Sequence, residues 1–165
     1  MNDMSARTLQ MEEMLLNLGP AKGKDFSTVI GPWLVTPDEL EPYRCPPPAG
    51  HTGNAFRLDM VCRVNGVEVS RGNMGDMDWT FAEIIERCAY GVDLVPGDVI
   101  GSGTVGTGCF LELNGTGKRL NPEGFVPQWL QEGDQVELEV TGLGLLSNHI
   151  EREGDDFSIL ALKKS

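Results

Sequence analysis

Basic residues, histidine and long apolar runs are scarce in this 165-residue chain. Thirteen Lys and Arg stand against 25 Asp and Glu, a formal charge of −12. A field of that sign repels phosphate backbones, so nucleic acid is not an expected partner. A local Arg, Lys or metal can still reverse the potential inside a pocket. No apolar run approaches the roughly 18 residues of a membrane span. The opening MNDMSARTLQMEEM has no basic segment followed by an apolar block, so no signal peptide and no membrane partner are expected, and the cytoplasm is the default compartment. Cys45, Cys62, Cys88 and Cys109 form no CxxC pair. That makes a structural zinc site improbable and leaves them as small hydrophobes. The two histidines, His51 in a Pro/Gly loop and His149 near the C-terminus, have no partner visible in the sequence and read as surface residues.

Hydrophobic residues make up 40% of the chain, and the length suits one domain with a real core. Gly 21 and Pro 10 are high for a helical bundle and suit a turn-rich β fold. A first helix is expected over Ser5 to Leu18, capped by Ser5 and ended by Gly19-Pro20. Asp3, Arg7, Gln10 and Met14 lie along one stripe, which its polarity marks as no core face. Thr28–Ile30 and Trp33–Val35 read as extended. The Pro-rich stretch from Glu41 to Asn54 reads as a long loop. Leu58 to Val69 forms the clearest local pattern, two alternating strands about Asn65-Gly66, the preferred type I′ turn. A second helix is expected over Thr80 to Tyr90, with Thr80 and Glu83 as a capping box. Its Phe81, Ile84, Ile85 and Cys88 should form a buried face. Strand openings are expected at Pro96–Ile100 and Glu132–Val140, and a last strand at Phe157 to Leu162. The sum, about seven strands and two helices, is an α+β, β-rich fold.

Three features invite a chemical reading. Gly101 to Gly106 matches GxGxxG, but a dinucleotide fingerprint opens a helix. Here CFLEL follows and reads as a strand, so the better reading is a glycine-bent loop that brings Thr104 and backbone N–H groups to a ligand. Asp3, Arg7 and Gln10 are either a solvated face or a cation-binding carboxylate beside an Arg that holds a substrate carboxylate; spacing alone favours the first. Glu112, among the apolar residues of Cys109–Leu113, either points to solvent or serves as a general base.

Read in order, N-D-M-S-A-R at Asn2–Arg7, G-K-D-F at Gly23–Phe26, G-P-W-L-V at Gly31–Val35, the VNG hairpin, RGNMGDMDWTFAEII, LVPGDVIGSGTVGTG and EGDQVELEVTGLGLLSN resemble the fumarylacetoacetate hydrolase family. The resemblance covers nearly the whole chain, so residues 1–165 are expected to be a partial catalytic domain of that family. It implies a mixed β-sandwich roll of the family's C-terminal type, lacking its N-terminal strands. It implies a divalent metal, Mg or alternatively Mn or Ca, on Asp3 with Thr28 near it. By the same resemblance, Arg7 and Gln10 contact substrate oxygens, Lys24 orients a substrate carboxylate or enolate, Thr104 holds the far carboxylate and Glu112 activates water with a histidine. A small-molecule keto acid as substrate and a homodimer are implied as well.

The departures matter equally. The family's E-x-E metal segment and the histidine partner of Glu112 belong upstream of Asp3, outside this sequence. Glu12 and Glu13 are adjacent and make poor substitutes. Thr8 stands where the family often has Asp, and Met14 where the hydrolase branch has a polar aromatic residue. A single carboxylate is a weak hard-cation site. The expectation is therefore a truncated hydrolase of a diketo acid, binding metal poorly and turning over little substrate. An isomerase or decarboxylase of 2-keto acids, or a non-catalytic remnant that pairs with other subunits, are the alternatives.

Overall fold

A computed structural model describes residues 1–17 and 19–154. The expected last strand, Phe157 to Leu162, lies outside the described residues. The described residues form a mixed α and β domain with three small antiparallel sheets. Its largest sheet joins β5 (Asp59–Val64), β6 (Val67–Asn73), β7 (Gln135–Val140) and β8 (Gly144–His149) in the order β6-β5-β7-β8. The β5–β6 hairpin turns at Asn65-Gly66 with φ of 52° and 77°, the positive angles that a type I′ turn demands. Asn65 is tied down a second time, because its side chain bonds Asp134 and the Gln135 amide at 2.8 and 2.9 Å. One face of the sheet carries Met60, Cys62 and Val64 opposite Val140, Leu138 and Val136. The other carries Arg63 with Glu139, paired at 2.7 Å.

The buried apolar cluster is small: Leu40, Phe56 and Leu58, with Val35, Tyr43, Met74 and Val140 packed against it. It sits where the 3-10 helix Pro37–Tyr43 and the short pair β3 (Arg44–Cys45) and β4 (Ala55–Phe56) meet the start of β5. Much apolar surface stays uncovered. Trp33 is 63% exposed, Leu34 90%, Tyr90 83% and Val126 77%.

Several expectations are corrected. Eight strands and four α-helices occur among the described residues, more and shorter than expected. Residues 33–35 form no strand; the Trp33 indole instead donates to the Leu143 carbonyl at 2.9 Å and lies against Gly144. Pro96–Ile100 is a turn followed by irregular chain, with Asp98 accepting from the Val95 amide at 3.0 Å. Cys109–Leu113 opens α4 (Phe110–Leu120) rather than forming a strand. Five residues cannot separate a helical from a pleated apolar pattern, and Glu112 in the first turn with Lys118 and Arg119 in the last suits the helix dipole. The capping box of α3 (Phe81–Cys88) is present, but no residue of that helix is fully buried, and Ile85 is 47% exposed.

Candidate active site

The N-terminal segment builds the first half of the site. β1 (Asn2–Asp3) pairs with β2 (Thr28–Val29) so that Asp3 faces Thr28 directly. Between them run α1 (Arg7–Glu13) and α2 (Lys22–Asp25). The Lys24 ammonium lies 2.8 Å from the Asp3 carboxylate and 2.8 Å from the Ser5 hydroxyl. Ser5 is therefore not the helix cap expected of it; Ala6 occupies that position and offers no side-chain bond. Arg7 donates to the Gln10 side-chain oxygen at 2.6 Å. Gln10 is buried, contrary to its reading as part of a solvated stripe, because α2 crosses α1 at this point. A Cβ added to Gly23 would stand 2.7 Å from the Gln10 Cα. Only a glycine permits that approach.

The second half is the loop 101–108 and the start of α4. Gly72 on β6 admits Val105, whose Cγ2 would lie 2.2 Å from any added Cβ. The buried Ser70 hydroxyl meets that of Thr107 at 3.0 Å. Thr107 has φ of 69°, a left-handed conformation that costs a β-branched residue of order 1–3 kcal/mol unless its surroundings hold it. Glu112 supplies one such restraint, since its carboxylate accepts from the Thr107 amide at 2.8 Å. Farther along α4, the Asn114 side chain donates to the Gln128 carbonyl at 2.8 Å and accepts from the Gln128 amide at 2.9 Å. The glycine-rich loop thus does precede a helix. Residues 89–100, which run into the loop, are turn and irregular chain rather than a strand, so the strand–loop–helix order of a dinucleotide site is still not met.

Asp3, Arg7, Gln10, Lys24 and Thr28 are brought into one unit, and Thr104 and Glu112 into another. The Met1 side chain links them, its Cε lying 2.5 Å from where a Gly101 Cβ would be. No hydrogen bond among the described residues joins the two units directly. Thr104 is exposed on its loop, and Glu112 is exposed on a helix, not set beside Phe110 on a strand. The residues present do not by themselves fit a divalent cation. Asp3 offers a single carboxylate that already faces an ammonium, and no group of three His, Cys, Asp or Glu among the described residues could hold a metal.

Two clusters escaped the sequence reading. His51 is not a free surface residue: its Nδ1 lies 3.1 Å from both Glu83 oxygens, and Trp79 meets its ring edge-on at 4.9 Å between centroids. Glu83 also accepts from the Thr80 and Thr52 amides at 2.9 and 3.3 Å. The Thr80 amide first, then His51, the Thr52 amide and the Thr80 hydroxyl, hold its carboxyl down at about 2, against the opposing effect of burial. A Glu three residues after a Thr announced the capping box; nothing in the sequence announced the histidine 32 residues away. Glu13 is the other cluster, with three backbone amides on one carboxylate.

A family model described as "Fumarylacetoacetate (FAA) hydrolase C-terminal" matches residues 1–151. Fumarylacetoacetase of Arabidopsis thaliana is 34% identical over 160 residues, covering 82% of this chain and 38% of that protein. The oxaloacetate tautomerase YisK of Bacillus subtilis is 30% identical over 149 residues, covering 90% of this chain and 41% of that protein. Among solved structures, the fumarylacetoacetate hydrolase from psychrophilic Exiguobacterium antarcticum superposes with a TM-score of 0.63 at 28% identity, covering 92% of this chain and 45% of that one. The chain therefore spans less than half the length of these relatives.

Proposed function

The chain belongs to the fumarylacetoacetate hydrolase family, and from that premise we propose that it forms the carboxylate-recognising part of an enzyme that hydrolyses a C–C bond in a diketo acid, such as fumarylacetoacetate or an acylpyruvate. The observation that supports this reading is the placement of Lys24, whose ammonium meets both Ser5 and Asp3, the residue that pairs with Thr28, next to the helix that carries Arg7 and Gln10. Lys24 and Arg7 supply positive charge for a substrate carboxylate or a developing enolate. Gln10 fixes the Arg7 fork. Thr104, on a loop pinned to β6, takes the distal carboxylate. Glu112 spends one carboxylate oxygen on the Thr107 amide and keeps the other for a water molecule, which it delivers to the carbonyl as general base.

The divalent cation of such an enzyme, Mg or alternatively Mn or Ca, would need carboxylates beyond Asp3. A β-sandwich roll of the family's C-terminal type and a homodimer belong to this reading, and the uncovered apolar surface supports the second. Isomerisation of a 2-keto acid is the second reading. It is favoured by the Glu112–Thr107 bond, which gives that carboxylate a structural task, and by the likeness to an oxaloacetate tautomerase.

Hydrolysis of an acylpyruvate and tautomerisation of oxaloacetate, followed side by side by ultraviolet absorbance with Mg²⁺ or Mn²⁺ in a full-length version whose metal site is complete, separate the two readings. Glu112→Gln should abolish the first and spare the second. Equal loss of both would reject Glu112 as the water-activating base.

A further inference from the structure

Glu13 closes α1, and its carboxylate takes three backbone amides at the start of α2. Oε2 accepts from Ala21 and Gly23 at 2.8 and 3.0 Å, and Oε1 from Lys22 at 2.8 Å. A helix of four residues cannot sustain itself, so its start is defined by what holds those amides. The Gly23 amide first, then those of Ala21 and Lys22, keep the Glu13 carboxyl below its ordinary range, with burial opposing them. Two further contacts lock α2 to α1. Ala6 donates to the Gly23 carbonyl at 2.9 Å, and Gly23 sits on Gln10 without room for a Cβ. One residue later, Lys24 reaches Asp3.

We propose that Glu13 is the positioning residue for Lys24: it fixes the start of α2 so that the ammonium meets Asp3 and Ser5. The proposal rests on the reading of Lys24 as a substrate-facing cation, but its test uses no substrate. A glutamine at position 13 keeps the volume and loses the fit. Its single carbonyl oxygen cannot serve three donors, and its NH₂ would face a backbone N–H.

The experiment is proton exchange at the lysine ammonium groups, measured by ¹⁵N NMR on this chain, whose five lysines make assignment simple. Lys22 is the internal control. Its ammonium pairs with Asp25 within α2 at 2.9 Å and does not touch Asp3. In Glu13→Gln, exchange at Lys24 should accelerate about tenfold, the scale of a lost charge-assisted bond, while Lys22 stays within about twofold. Gly23→Ala leaves the carboxylate in place and forces α2 off Gln10. It should accelerate Lys24 in the same way; if the β5–β8 amide signals show that Glu13→Gln fails to fold, Glu13→Asp decides the matter, because it keeps the charge but draws the carboxylate back from the three amides, and unchanged exchange at Lys24 in it overturns the proposal. Unchanged exchange at Lys24 in a folded variant overturns the proposal. So does equal acceleration at Lys22 and Lys24, which would mean that Glu13 merely keeps α2 helical. If Lys24 responds as expected and the chain binds no keto acid, the functional reading fails and the positioning stands.

Discussion

Replacing Asn114 tests how α4 and the loop before it are held. Asn114 is 8% exposed and forms a closed pair of hydrogen bonds with the Gln128 backbone, donating at 2.8 Å and accepting at 2.9 Å. Asn114→Ala removes both. At about 0.5–1.5 kcal/mol net for each bond, the loss is about 1–3 kcal/mol. With a urea dependence near 2 kcal/mol/M for a chain of this size, the midpoint of a melt followed by circular dichroism should fall by about 0.5–1.5 M. Asn114→Asp sharpens the test. At neutral pH its carboxylate still accepts from the Gln128 amide but faces the Gln128 carbonyl with no proton to share. Burial and that repulsion favour the neutral acid in the folded state, so this carboxyl should titrate above its unfolded value. Its penalty is then greatest above the folded value and shrinks as pH falls through it, when the acid O–H can donate to the carbonyl. Measured against Asn114→Ala at each pH, the aspartate variant should be less stable at pH 7 and should recover towards pH 4. A loss below about 0.5 kcal/mol for the alanine variant, or a pH-independent gap between the two, would refute this account of the helix anchor.

Four shorter tests follow from the same geometry. Gly72→Ala drives a methyl group to within 2.2 Å of the Val105 Cγ2, so the loop carrying Thr104 must lift from β6, costing about 1–3 kcal/mol; thermal melting reads the cost and keto-acid titration the loss of affinity. The Glu83 carboxyl titrates at about 2 when folded, below its unfolded value, so its contribution is present above about pH 4.5 and lost as pH falls through 2. Glu83→Gln should therefore lower stability at pH 7 and flatten the acid limb of a plot of melting temperature against pH; an unchanged slope counts against the hold that the Thr80 amide, and after it His51, has on this carboxylate. Calorimetry of Mg²⁺ or Mn²⁺ with this chain should show weak binding at most, and tight binding would show that Asp3 has carboxylate company not recognised in the structure. Sedimentation should show association through the uncovered apolar surface, and a clean monomer would contradict it.

What was legible in the sequence was local. Asn65-Gly66 between alternating strands and Thr80 three residues before Glu83 are signatures written within a few residues, and both formed as expected. The alternation of Val136, Leu138 and Val140 likewise became β7. Failures came where tertiary contacts decide. Gln10 looks solvated until α2 crosses it. Glu112 looks like a strand residue until the Thr107 amide claims its carboxylate. Trp33–Val35 looks like a strand, but Val35 packs against the core and the Trp33 indole bonds Leu143 without any strand pairing. The Asp3–Lys24 contact spans 21 residues and became an expectation only through the family resemblance, not through spacing.

The central claim is that Lys24, not its neighbour Lys22, meets the carboxylate of a keto acid. Calorimetric titration of an acylpyruvate into the chain and its two lysine variants tests it directly. Lys24→Ala should weaken binding by about tenfold or more, the value of a charge-assisted bond, while Lys22→Ala, whose ammonium is turned to Asp25, should bind as the unaltered chain does. Equal affinity in Lys24→Ala, or no binding by the unaltered chain, would contradict the account.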